Sequence, residues 1–96
     1  MLRYDQKEIG SRIQTLRKNK KLTQEQLAEM LHISTSNLGK VERGLQGMSL
    51  DLLIDIADLF EETLDYIVFG RNPSKISIQG QLRAISDALL QLERSL

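Results

Sequence analysis

Ninety-six residues with 13 Lys plus Arg against 13 Asp plus Glu, no Cys and 41% apolar content describe one small domain with a short appendage, and exclude a multi-domain enzyme. Without cysteine there is no disulfide framework or thiolate metal site, and the lone histidine, His32, leaves too few ligands for a zinc cluster, so no metal or other cofactor is expected. The longest apolar run, Tyr66 to Phe69, falls far short of the roughly 20 residues of a membrane span, and the N-terminus alternates charge, so the chain reads as cytoplasmic with no membrane partner.

Apolar residues recur at helical spacing and no segment alternates with period two, which predicts an all-α chain. Asp5 with Glu8 three positions on is a capping box opening a first helix whose buried stripe is Ile9, Ile13 and Leu16. The cluster Lys18-Asn19-Lys20-Lys21 closes it, with cations beside the carbonyls of the last turn. Thr23 with Gln26 is a second capping box, and Leu27, Ala28 and Leu31 give a short second helix one apolar face. The break that follows contains no glycine, so His32 takes any left-handed position there; it is a turn residue rather than a catalytic one.

Ser34 caps a third helix reaching about Arg43, with Leu38, Val41 and Leu45 on its inner side and Gly44 as its stop. At 100° per residue, Ser36, Gly39, Lys40 and Arg43 fall on the opposite side, with Thr35 beside them. This stripe is small, polar and cationic. A helix burying a protein partner there carries Leu, Met or an aromatic, whereas these side chains suit a groove of hydrogen-bonding edges and phosphates.

Ser49 caps a fourth helix, in which Leu50, Leu53, Ile54, Ile56, Ala57 and Phe60 form the core side and Asp51, Asp55 and Asp58 an acid rim. Thr63 caps a short fifth helix containing Leu64, Tyr66, Ile67 and Phe69, and Gly70 ends it. Residues 71–75, with Arg71-Asn72-Pro73-Ser74, read as a linker between a domain of residues 1–70 and a C-terminal amphipathic helix of residues 76–96. In that helix Ile78, Leu82, Ile85, Leu89, Leu92 and Leu96 form an a/d heptad seam. An isolated helix of this length is marginal in water, so the seam needs a cover: a second copy of itself in a homodimer is the expected one, the same chain's bundle the alternative.

The zero net charge hides a segregation along the chain. Residues 1–22 carry seven cations against two carboxylates, while residues 45–70 carry six carboxylates and no cation. Such a chain can turn a positive surface towards a polyanion and its acidic helix away. The four aromatics, Tyr4, Phe60, Tyr66 and Phe69, are not interleaved with basic residues, which disfavours a single-stranded stacking platform. No small-molecule ligand is evident, and no nucleophile, base and orienter assemble into an enzyme.

The stretch Leu22-Thr23-Gln24-Glu25-Gln26-Leu27-Ala28, then Ile33-Ser34, Val41-Glu42-Arg43-Gly44 and Ser49-Leu50, resembles the helix-turn-helix family of the lambda repressor and Cro. The resemblance implies a five-helix DNA-binding bundle in residues 8 to 70, whose second and third helices form the reading unit in the major groove. It implies base-reading positions at Thr35, Ser36, Gly39 and Lys40. Phosphate contacts would fall to Gln24, through main-chain amide and side chain alike, and to Asn37, Arg43, Gln46 and Gly47. Arg17 and Glu42 would form a structural ion pair. The function it implies is a dimeric, sequence-specific regulator of transcription, a repressor at an inverted-repeat operator in double-stranded DNA, nucleoid-associated within a prokaryotic or phage-infected cytoplasm. The alternative is an antitoxin-like or adaptor protein whose C-terminal helix binds another polypeptide. The chain departs from the family pattern at His32, Met48, Glu61-Glu62 and Gly39.

Overall fold

Five helices, each opened by a polar side chain that bonds back to the first turn, build the ordered bundle of this computed structural model, which describes residues 3–71 and 86–94. They are α1 (Gln6–Asn19), α2 (Gln24–Met30), α3 (Thr35–Glu42), α4 (Leu50–Phe60) and α5 (Leu64–Phe69), with a further helical segment, α6, over 86–94. No strand occurs among the described residues.

The openings follow the caps expected from the sequence. Asp5 accepts from the amides of Lys7 and Glu8, Ser34 from Asn37, Ser49 from Leu52 and Thr63 from Tyr66. Thr23 and Gln26 complete a reciprocal box, Gln26 N–H donating to Thr23 Oγ1 at 3.1 Å and Thr23 N–H to Gln26 Oε1 at 2.9 Å. The Asp5 box is half made, because the Glu8 carboxylate turns instead to Arg12 Nη2 at 3.3 Å.

Each helix of the bundle is followed by a left-handed residue: Lys21, His32, Gly44, Glu61 and Gly70. Beyond each, an amide reaches back to the helix, as in Ile33 N–H to Ala28 O at 3.0 Å and Glu62 N–H to Ala57 O at 2.9 Å. His32, at φ 57°, therefore takes the conformation assigned to it, while Lys21 and Glu61 adopt it without any glycine, asparagine or histidine to mark the place.

The core gathers Ile9 and Ile13 of α1, Leu27, Ala28 and Leu31 of and after α2, Leu38 and Val41 of α3, Leu53, Ile56 and Phe60 of α4, and Ile67 of α5. Helix α1 is the central piece, packing on both α3 and α5. Its crossing with α3 is made at Gly10, where a Cβ would stand 2.2 Å from Val41 O and 2.6 Å from Glu42 O, so only glycine lets the two backbones come this close. Its contact with α5 is fixed by Arg12, whose Nη1 donates to Ile67 O and Val68 O, each at 3.0 Å, satisfying carbonyls at the helix end that have no partner within the helix.

Three expected core positions lie outside it. Leu45 is 68% exposed, because Gly44 at φ 73° takes the chain off the α3 axis and ends the helical period there. Leu50 and Ile54 are 65% and 46% exposed: α4 is apolar over a wider arc than its neighbours cover, and only Leu53, Ile56 and Phe60 reach the interior.

Candidate nucleic-acid interface

Helix α3 buries Leu38, Val41 and Glu42 and leaves Thr35, Ser36, Asn37 and Lys40 exposed, with Arg43 exposed at its C-cap and Gly39 half-buried between them. The stripe of small, polar and cationic residues on its outer side is therefore open to solvent. Arg43 Nε donates to Gly39 O at 3.1 Å, which lays its side chain back along the last turn. Gln46 and Gly47 are exposed in the loop after Gly44.

Beneath this face lies a buried polar cluster. Arg17 of α1 meets the Glu42 carboxylate in a two-pronged pair, Nε to Oε2 at 2.7 Å and Nη2 to Oε1 at 3.1 Å, with the Glu42 side chain fully buried. Arg17 Nη1 also donates to Leu22 O at 2.8 Å, just ahead of α2. Gln24, the first residue of α2, donates from Nε2 to Glu42 Oε1 at 3.0 Å. The cluster thus ties α1, the entry to α2 and the end of α3 together, and no buried side-chain nitrogen or oxygen among the described residues lacks a partner. The phosphate-contacting part expected of the Gln24 side chain meets this constraint: its amide nitrogen is already engaged inside the protein.

The basic N-terminal segment is less available than its charge count suggests. Arg12 is spent on α5, Arg17 on Glu42, and Lys20 Nζ sits 5.9 Å from the centroid of the Phe60 ring at the end of the acidic α4. The basic end of α1 and the acid-bearing helix are therefore neighbours, not opposite poles. Arg3, Lys7, Lys18 and Lys21 remain exposed. Of these, Lys7 was not singled out by the sequence, yet a Cβ on Gly44 would stand 2.5 Å from Lys7 Cα, and one on Gly47 2.9 Å from Gln6 Oε1. The first turn of α1 is seated on the loop that follows α3, a contact between residues almost forty positions apart that no local pattern announces.

At the C-terminal end, Arg71 Nη2 bonds Asp65 Oδ1 at 2.6 Å, and its guanidinium lies 5.2 Å from the Phe69 ring centroid, folding the start of the expected linker back onto α5. All described residues of α6 are exposed, including Leu89 and Leu92 of the seam and Leu90 beside it. Ile78, Leu82, Ile85 and Leu96 lie outside the described residues. No helix among the described residues is long and apolar enough to cross a membrane.

Comparison with known proteins places these features among relatives. Residues 13–67 match the helix-turn-helix family model. The chain is 38% identical over 63 residues to the HTH-type transcriptional activator BcrR of Enterococcus faecalis, a match covering 66% of this chain and 31% of that protein, so the chain spans under a third of that relative's length. Among solved structures, it is similar to the restriction-modification controller protein C.AhdI from Aeromonas hydrophila, with TM-score 0.61 and 32% identity over 66% of this chain and 96% of that one. It is likewise similar to the P22 c2 repressor protein, solved in complex with a synthetic operator, with TM-score 0.62 and 25% identity over 66% of this chain and 96% of that one.

Proposed function

Since the chain belongs to the helix-turn-helix family of the lambda repressor type, we propose that it is a sequence-specific double-stranded DNA-binding regulator of transcription. In this reading α3 enters the major groove, with Thr35, Ser36, Gly39 and Lys40 against base edges and Asn37, Arg43, Gln46 and Gly47 beside the phosphates. The observation that carries it is the bare outer side of α3, which presents hydroxyls, one glycine and cations but no large apolar side chain. The Arg17–Glu42 pair holds that helix to α1 from behind.

Residues 1–70 then act as the DNA-binding domain, residues 71–75 as a linker and residues 76–96 as the dimerisation element. Two copies joined there would set their reading helices about 34 Å apart on one side of the duplex, so the target is an inverted repeat. Occupying such an operator represses transcription by excluding polymerase, with no catalytic step.

The test is selection of bound sequences from random duplexes at a stated salt concentration. An inverted-repeat consensus is expected. If the dimer neutralises about eight phosphates, log affinity falls against log salt with a slope near −7. Retention of all duplexes alike, or binding indifferent to salt, would count against the proposal.

A further inference from the structure

Gln24 stands at the edge of the proposed reading face, and the orientation of its carboxamide is determined by chemistry. Glu42 Oε1, already accepting from Arg17 Nη2 at 3.1 Å, accepts again from Gln24 at 3.0 Å, so the amide nitrogen faces the buried carboxylate and the amide oxygen faces away from it. That oxygen lies over α3 at Gly39: a Cβ built on Gly39 would meet only Gln24 Oε1, at 3.9 Å, with otherwise open space around it. Gln24 Oε1 accepts no hydrogen bond within the protein, and since no buried side-chain oxygen among the described residues lacks a partner, it is reached by solvent.

A phosphate offers only acceptors and cannot satisfy an outward-facing oxygen. In the major groove the hydrogen-bond donors are the exocyclic amino groups, N6 of adenine and N4 of cytosine. On the outer face of α3, Lys40 and Arg43 only donate, while the hydroxyls of Thr35 and Ser36 donate or accept as required. Resting on the DNA-binding reading above, we infer that Gln24 is a base-reading residue selective for an amino-bearing base, adenine or cytosine, with its carboxamide oxygen as the reading atom. Glu42, anchored by Arg17, is the positioning residue that presents this oxygen outward. The missing side chain at Gly39 keeps the space before it clear.

Duplex selection with the full chain tests this, comparing the wild type with Gln24→Ala and with Gln24→Met, which keeps the length of the side chain without its amide. The wild type should prefer adenine or cytosine at one position of each half-site. Both variants should lose that preference by roughly three- to tenfold, the size of one ordinary hydrogen bond, with preferences elsewhere unchanged. Replacing that adenine by purine, or that cytosine by 2-pyrimidinone, removes the amino group and should cost the wild type the same factor and the variants nothing. A loss spread evenly over all duplexes, or no loss, overturns the inference and leaves the DNA-binding reading standing. A wild type that prefers no duplex overturns both.

Discussion

Two arginines on α1 show how little a residue's charge says about its use until its surroundings are known. Arg17 is buried against Glu42, and Arg12 closes the carbonyl end of α5; neither is free to meet a polyanion. Lys40 is the contrasting case, exposed on α3 with no partner among the described side chains. In the proposed complex it is the residue able to donate to guanine, so Lys40→Ala should weaken preference at one base pair by about 1 kcal/mol or more while shifting overall affinity less, as read from competition binding with single-base variants of the selected site. Glu61 carries a different burden. It holds φ 53° without being glycine and places a carboxylate at the negative end of α4. Glu61→Gly should therefore stabilise the bundle by about 0.5–1 kcal/mol, with Tm rising by roughly 2–8 °C in thermal unfolding, and an unchanged Tm would mean that the left-handed position is unstrained here.

At the level of helices, the openings were legible and the closures only partly so. A hydroxyl or carboxylate ahead of an apolar period is a local signal, and Asp5, Thr23, Ser34, Ser49 and Thr63 all cap as the sequence leads one to expect. The lysine cluster marks the end of α1, but the left-handed conformation of Lys21 and Glu61 carries no such signal, since neither is glycine, asparagine or histidine. Periodicity identified the apolar arc of α4 but not how much of it neighbours cover, hence the exposure of Leu50 and Ile54. On the candidate site, pattern alone reached the outer stripe of α3; the pairing of Arg17 with Glu42 came from family resemblance, and the bond from Gln24 to Glu42 from neither, being a contact across eighteen positions. Two glycines inside helices bring out the difference between packing and patterning. Gly10→Ala drives a methyl into the α3 backbone and should cost about 2–3 kcal/mol in denaturant unfolding. Gly39→Ala meets no atom closer than 3.9 Å and should add about 1 kcal/mol through helix propensity. The same substitution with the same sign at both sites would refute this account of the α1–α3 crossing.

For the molecule as a whole, the C-terminal seam is the feature on which the proposed assembly turns. Among the described residues of the seam, Leu89 and Leu92 are 62% and 65% exposed on α6. If residues 76–96 pair two copies, Leu89→Asp should yield monomers in sedimentation while the cooperative unfolding of the bundle persists; a variant that stays dimeric would move the interface elsewhere. Paired copies would also make use of α1 in a way that neither end of the chain reveals. Arg17 fastens α1 to the back of α3, Arg12 fastens it to the end of α5, and Arg71 fastens the outgoing chain to α5 in turn. This run of guanidinium contacts links α3, through α1 and α5, to Arg71 at the start of the expected linker. If α3 docks on DNA and the tail pairs two copies, as proposed, these contacts would fix the angle at which each subunit hands its chain from the duplex to the tail.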